Sequence, residues 1–242
     1  MLQMVKGVVK DVASEGFGPS VQRYVRRARR QLARADARLL VSYLGQHEVR
    51  KLQLGCGNNL LPGWLNSDVE PVSPAVLTLN VTRPFPLPSE AFDFIFTEHM
   101  IEHLPFEVGS RMLQESHRVL RPGGRLRVST PDLAFLVALH GTESTPLQGE
   151  YIQWSTRNQV TWAPLPDGGY VINNFVRAWG HCFIYDVRTL ERSMRSAGFD
   201  QIQRCALNQS EAPELRGLEN ESRMPPGFLQ LETFTLEGVR RS

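Results

Sequence analysis

The sequence predicts a doubly wound α/β fold, a mostly parallel sheet with helices on both faces. Three observations carry this. Lys51-Leu52-Gln53-Leu54-Gly55-Cys56-Gly57-Asn58-Asn59 reads as a buried strand running straight into a glycine turn. Asp68 closes the next apolar run, and Phe92-Asp93-Phe94-Ile95-Phe96-Thr97 supplies another. Glycine at the end of a first strand lets the backbone approach a nucleotide-like ligand closely. An acid at the end of the second strand is placed to accept hydrogen bonds from a ribose. The order points to an adenosine-containing cofactor.

The elements follow in order. Residues 1–19 read as a mobile arm broken by Gly7, Gly16, Gly18 and Pro19. Residues 20–44 read as a helix capped by Ser20. Its apolar stripe is Val21, Val25, Ala28, Leu32, Ala35 and Leu39, and arginines fill the other faces. The stripe suits docking on the core or on a second subunit, as in a homodimer; contact with an anionic lipid or polymer is the alternative. Strands are expected near 50–54, 64–68, 76–81, 92–97 and 125–130. Gly57 and Asp68 are too close for a full crossover helix, so one turn around residues 58–61, ended by Pro62-Gly63, is expected. A helix over 107–121 stops at Pro122-Gly123-Gly124, and a short one covers 131–140. Residues 141–180 are too long for an ordinary loop and read as a lid or acceptor-side insertion. A helix at 187–197 has Asp186 as cap and Gly198 as stop. Strands near 200–206 and 230–236 finish the chain. The organisation is therefore an N-terminal arm and basic helix, 1–47, and a main domain, 48–242.

Composition is that of a globular chain, with 41% hydrophobic and 21% charged residues. The net charge of +2 is uneven: residues 1–50 hold ten basic and four acidic side chains, so the remainder is mildly acidic. That argues against a nucleic-acid partner for the main domain. No run approaches the ~18 apolar residues of a membrane span. Cys56, Cys182 and Cys205 have no metal or disulfide spacing. With no signal-peptide pattern at the start, a cytoplasmic location is expected.

The ordered segments resemble the class I S-adenosylmethionine-dependent methyltransferases. Leu54-Gly55-Cys56-Gly57 looks like their cofactor turn, Asp68 like their ribose acid and Ala91–Ile95 like their fourth strand. Val119-Leu120-Arg121-Pro122-Gly123-Gly124-Arg125-Leu126 looks like their approach to the fifth. The resemblance implies a seven-stranded Rossmann-like sheet and S-adenosyl-L-methionine bound by Leu54, Gly55, Cys56, Gly57, Asp68, Asn80, Val81 and Glu98. Gln53, Asn59 and Asn80 depart from the family, which usually has acid, glycine and acid there. Gly63-Trp64-Leu65-Asn66, Glu98–His103 and Trp179-Gly180-His181-Cys182-Phe183 are similar to a bacterial group associated with glycan tailoring. That implies a hydroxyl of a saccharide, a mannoside being one candidate, as acceptor. A phenol or polyketide-like acceptor, and a silent partner subunit, are the alternatives.

Chemistry-bearing residues concentrate in Glu98-His99-Met100-Ile101-Glu102-His103, just after the fourth strand. One helical turn there would place His99 and His103 on one face beside Glu102. His99-x-x-Glu102-His103 also matches a reversed zinc-peptidase motif, but the surrounding segments are wrong for that fold. Some metal-dependent O-methyltransferases carry Glu-x-x-Glu-His here, which this chain resembles at Glu102 and His103. With His181 and His99 the resemblance implies a site for Mg²⁺ or another divalent ion. Without a metal, His181 is the first choice of general base, with Glu102 and His103 beside it. In the insertion, Trp154, Trp162, Tyr170, Phe175 and Trp179 could pack on sugar faces, with Asp167, Asn173, Asn174 and Arg177 reading hydroxyls; a small core of their own is the alternative.

Overall fold

A computed structural model describes residues 19–141 and 145–241, with side chains from residue 33 onward. The arm of residues 1–18, the Ser20 cap and the stripe from Val21 to Leu32 lie outside the described residues or side chains. A seven-stranded sheet runs in the order β3-β2-β1-β4-β5-β7-β6. Its strands are β1 (Lys51–Leu54), β2 (Leu65–Asp68), β3 (Leu77–Thr78), β4 (Phe92–Glu98), β5 (Leu120–Pro131), β6 (Phe199–Cys205) and β7 (Thr233–Arg240). Pairing is parallel from β3 to β5, and β7 lies antiparallel to both β5 and β6. The order reverses between β1 and β4, so a crevice opens at their carboxyl ends, where doubly wound sheets hold ligands.

The helices are α1 (Pro19–Gln46), α2 (Phe106–Val119), α3 (Leu133–Ala138), α4 (Pro146–Asn158), α5 (Gly168–Arg177), α6 (Val187–Ser196) and α7 (Phe228–Glu232). Helix α2 buries Gly109, Met112, Leu113, Ser116 and Val119, one face at helical spacing. Asp186 caps α6 by accepting from Thr189 N at 2.6 Å. Thr145 and Gln148 form a capping box that starts α4. The main core covers the sheet through residues such as Leu52, Leu54, Phe92, Ile95, Met112 and Leu126. A second core joins α3, α4, α5 and α7 through Phe135, Tyr151, Val171, Phe175 and Phe228.

Four expectations are corrected. No helical turn forms at 58–61. The Asn66 side chain accepts from Leu61 N at 2.9 Å and donates to Leu61 O at 3.1 Å and Trp64 O at 3.3 Å. It thereby serves the backbone groups that a helix would have paired. Strand β3 is only two residues long, not six. Pro122-Gly123-Gly124 does end α2, but it lies inside β5 at an irregularity in the β4 pairing. Ala35 is exposed, so α1 docks through the neighbouring face of Leu39, Leu40, Tyr43 and Leu44.

That docking is specific. Tyr43 is 7% exposed, and its hydroxyl accepts from Lys51 N and donates to Lys51 O, each at 2.9 Å. Asp36 Oδ1 accepts from Thr78 N at 3.1 Å. The end of α1 therefore covers the β1–β3 side of the sheet. Tyr43→Phe is expected to lower stability by about 1 kcal/mol and Tyr43→Ala by about 3 kcal/mol. Urea unfolding checks this, and wild-type midpoints in both variants would show that α1 does not stabilise the sheet.

Candidate active site

The glycine turn lies at the carboxyl end of β1. Gly55 and Gly57 have φ of 66° and 50°, the left-handed region that side chains disfavour. A Cβ on Gly55 would stand 2.5 Å from Met100 Cγ, whereas one on Gly57 would meet nothing within 4 Å. The loop after β4 thus sits on the first glycine and leaves open space at the second. Asp68 ends β2 beside it. Its Oδ2 accepts from Gly57 N at 2.9 Å and its Oδ1 from Glu70 N at 2.8 Å. Asn80 is exposed, and its Oδ1 accepts from Thr82 N and Oγ1 at 2.9 and 2.7 Å. Val81 packs against the core. Cys56 is buried, which pushes its thiol up to about 11. Gln53 is buried with Oε1 unpaired.

The loop after β4 carries the second part. His99 has φ of 46°, so residues 99–103 do not make one helical turn; only Ile101–His103 form a 3-10 turn. His99 is thereby removed from the face of His103. Its Nε2 meets Thr233 Oγ1 at 2.8 Å, and its Nδ1 stands 3.5 Å from Glu102 Oε1. Glu98 is held from another side: its Oε1 accepts from Asn220 N at 3.1 Å, with Arg223 at 3.9 Å.

Glu102, His103 and His181 come together, with one ligand-capable atom from each within 4.8 Å of the others. Backbone hydrogen bonds make the junction: Cys182 N and Phe183 N donate to Glu102 O at 2.7 and 3.1 Å. Trp179 and Gly180, both at positive φ, form the bend that returns His181 onto His103, ring centroids 4.8 Å apart. His181 Nδ1 lies 2.7 Å from Phe175 O. A carbonyl only accepts, so Nδ1 carries the proton and Nε2 the lone pair.

Glu102 is fully buried. Its Oε2 accepts from Thr130 Oγ1 at 3.1 Å, while Oε1 has no hydrogen bond among the described residues. Burial outweighs that bond and raises its pKa to about 8. Burial also lowers His103 and His181, and His99 well below the usual imidazole value. All three are neutral at pH 7. Buried Glu232 is raised to about 7 and bonds the Tyr151 hydroxyl.

Thr130, Thr233, Asn220 and Arg223, which hold the loop after β4, were not legible in the sequence. Only Thr130 left a signal, as a hydroxyl at the carboxyl end of the strand beside β4. The insertion aromatics divide. Trp154 and Phe175 enter the second core, while Trp162 and Trp179 are exposed. Asp167, expected to read hydroxyls, caps α5 instead by accepting from Gly169 N.

Residues 52–128 match the family model described as a methyltransferase domain. That segment contains the glycine turn, Asp68 and the loop after β4. Together with the sheet order and the antiparallel β7, typical of class I methyltransferases, the match makes this segment an S-adenosylmethionine-dependent methyltransferase domain. No curated protein matches the sequence. Several solved structures are similar at low identity and with TM-scores under 0.5. One is described as a possible exported protein from Bordetella parapertussis (10% identity, 95% of this chain and 75% of that one, TM-score 0.48). An S-adenosylmethionine-dependent methyltransferase from Mesorhizobium loti shares 16% identity over 85% of this chain and 98% of its own, TM-score 0.47. A possible histamine N-methyltransferase from Thermotoga maritima shares 19% over 90% and 97%, TM-score 0.45. Among the described residues no helix is long and apolar enough to cross a membrane.

The open space at Gly57 and the half-exposed Asp68 carboxylate fit the cofactor. Gly57→Ala, strained at φ 50° but with room for its methyl group, is expected to weaken S-adenosylhomocysteine binding in calorimetry; wild-type affinity would place the cofactor elsewhere. A second prediction concerns pH. A carboxyl whose folded pKa is raised keeps its proton in the native state while the unfolded chain releases it. Stability therefore falls as pH rises from about 4.5, until about 8 for Glu102 and about 7 for Glu232. Glu102→Gln is expected to flatten that decline. Urea midpoints at pH 5 and 8 test it, and an unchanged pH slope would remove Glu102 as its source.

Proposed function

We propose that the enzyme transfers a methyl group to a hydroxyl of a saccharide or glycan intermediate, with His181 as general base. The supporting observation is the junction of His181 with the loop after β4: a neutral imidazole, its Nδ1 donating to Phe175 O and its Nε2 carrying the lone pair, packs on His103 of the loop whose Met100 sits on Gly55. When bound, S-adenosyl-L-methionine supplies a methyl group on a positively charged sulfur. Leu54, Gly55, Cys56, Gly57 and Asp68 would hold it, with Asn80 and Val81 toward the adenine and Glu98 bracing the loop.

The chain's own part is the acceptor. An alcohol is almost wholly protonated at neutral pH, so transfer to oxygen needs a base. As the hydroxyl oxygen forms its bond to the methyl carbon, the carbon–sulfur bond breaks. The hydroxyl proton passes to His181 Nε2, and the Phe175 carbonyl accepts from Nδ1 and holds the ring in that tautomer. The exposed Trp162 and Trp179 suit the flat C–H faces of a sugar, with residues 141–180 as the acceptor side. A cytoplasmic location would keep the three cysteines reduced.

A second reading has its own observation. The orphaned Glu102 Oε1 and two neutral imidazoles make an N/O donor set that fits a divalent ion such as Mg²⁺ or Mn²⁺. Glu102, His103 and His181 would hold it, with His99 Nδ1 next to the carboxylate. Such an ion lowers the pKa of a coordinated hydroxyl.

Labelled methyl transfer across a saccharide panel, with and without EDTA, separates the two. The base reading expects indifference to EDTA and a loss of about 10²–10⁴-fold in His181→Ala. The metal reading expects EDTA to stop transfer, Mg²⁺ or Mn²⁺ to restore it, and severe loss in Glu102→Ala and His103→Ala too. If His181→Ala keeps most of its rate under both conditions, neither holds.

A further inference from the structure

Helix α5 has one face with no structural task. Val171 and Phe175 enter the second core. Tyr170, Asn173, Asn174 and Arg177 instead line a groove of about 460 Å³ that Trp162 borders, a volume within the range of small-molecule sites.

Four properties of this groove ask for a ligand. Trp162 is 58% exposed, yet its ring is fixed edge-on by Tyr170, centroids 5.7 Å apart at 89°. A large apolar ring is thus kept in water in one orientation. Asn174 is only 5% exposed, and its Nδ2 has no hydrogen-bond partner among the described residues. A buried amide left unpaired is a standing penalty, and a small turn of this side chain toward the groove would let an arriving oxygen relieve it. Arg177 is exposed at the end of the same helix. Asn173 donates through Nδ2 to Gly169 O at 2.8 Å, which leaves its Oδ1 as an acceptor.

A flat aromatic face beside N–H donors and an amide acceptor matches a pyranose ring. Such a ring has an apolar C–H face and a rim of hydroxyls that both donate and accept. A phenol offers one or two polar atoms and would leave most of these groups unpaired. We infer that the groove is a saccharide subsite, in which one pyranose stacks on Trp162 and is read by Asn173, Asn174 and Arg177. This rests on the saccharide acceptor proposed above and extends it. Arg177 and Ala178 lead directly into Trp179-Gly180-His181, and the Phe175 carbonyl on α5 orients His181. The groove therefore holds a sugar unit neighbouring the one that is methylated, and the acceptor is an oligosaccharide or a glycoside with at least two rings.

Saturation-transfer NMR on the full chain tests this, with methyl hexopyranosides, mannobiose and cellobiose as probes and catechol as the phenolic comparison. The wild type and His181→Ala are expected to bind a disaccharide more tightly than the monosaccharides. Trp162→Ala, whose side chain is solvent-exposed, is expected to fold normally and to weaken binding about 10-fold or more. Asn174→Ala is expected to weaken binding without lowering the melting temperature, because it removes an unpaired amide. Equal disaccharide affinity in Trp162→Ala and wild type overturns the inference. So does the absence of glycoside binding to the wild type, or a Trp162-dependent signal from catechol alone. Methyl transfer is read separately. Trp162-dependent glycoside binding without transfer to any saccharide would retain the groove and refute the acceptor chemistry.

Discussion

Arg127 sits in the middle of β5 with its guanidinium fully buried, and a cation there must be neutralised by groups that stay in place. Glu219 takes its Nε and NH2 at 2.7 and 3.0 Å, and Glu237 takes NH1 at 2.5 Å. Burial disfavours its charge, but the two carboxylates outweigh burial and raise its pKa. Breaking such a cluster by removing one partner typically costs about 3–5 kcal/mol. The cluster fixes more than β5 and β7. Glu219 also accepts from Ser129 Oγ and Asn208 N, so the crossover after β6 is bound over the sheet. The next residue, Asn220, donates its backbone N–H to Glu98 at the start of the loop after β4. The site's placement therefore runs back to one buried arginine.

From that anchor the loop is built by exclusion. Met100 occupies the volume that a side chain on Gly55 would need, and His99 takes a left-handed conformation to turn the chain. Single residues of this kind cost of order 1–3 kcal/mol and persist where their surroundings fix them. Here the surroundings are the Thr233 hydroxyl on His99 and the Cys182 and Phe183 N–H groups on Glu102. The second core then carries α5, whose Phe175 both packs inward and offers the carbonyl that orients His181. The cofactor turn and the second core thus approach each other at the 3-10 turn Ile101–His103, where Glu102 O accepts from Cys182 N and Phe183 N.

Electrostatics in the crevice favour neutral forms. Burial pushes Glu102 and Glu232 up and the histidines down, while Arg223 stays as a fixed positive charge that acts on Glu98, His99, Glu102 and Glu232. A neutral imidazole is ready to take a proton, and a neutral carboxylic acid can be ionised by an arriving cation. The same burial makes both readings of the cluster chemically sound, and only the acceptor and the ion distinguish them.

The sequence by itself determined most strands of the sheet, the glycine turn, the place of Asp68 and the bounds of α1, α2, α3 and α6, because these rest on local signals. Apolar runs of four to seven residues, caps such as Asp186 and stops such as Gly198 act over one or two turns of chain. It also singled out Glu102, His103 and His181. Tertiary structure alone decided which residues meet. Asn66 replaced a helix by side-chain bonds, and His99 was turned toward Thr233, 134 residues away. Asp167 became a cap, and Trp154 and Trp162 were sent to opposite environments. The Thr233 partner of His99 is distant in sequence, which no local pattern encodes; Asn66 and Asp167 bond near neighbours, where several local patterns compete and the packed fold selects one. The unpaired Nδ2 of Asn174 could be seen only once its neighbours were in place.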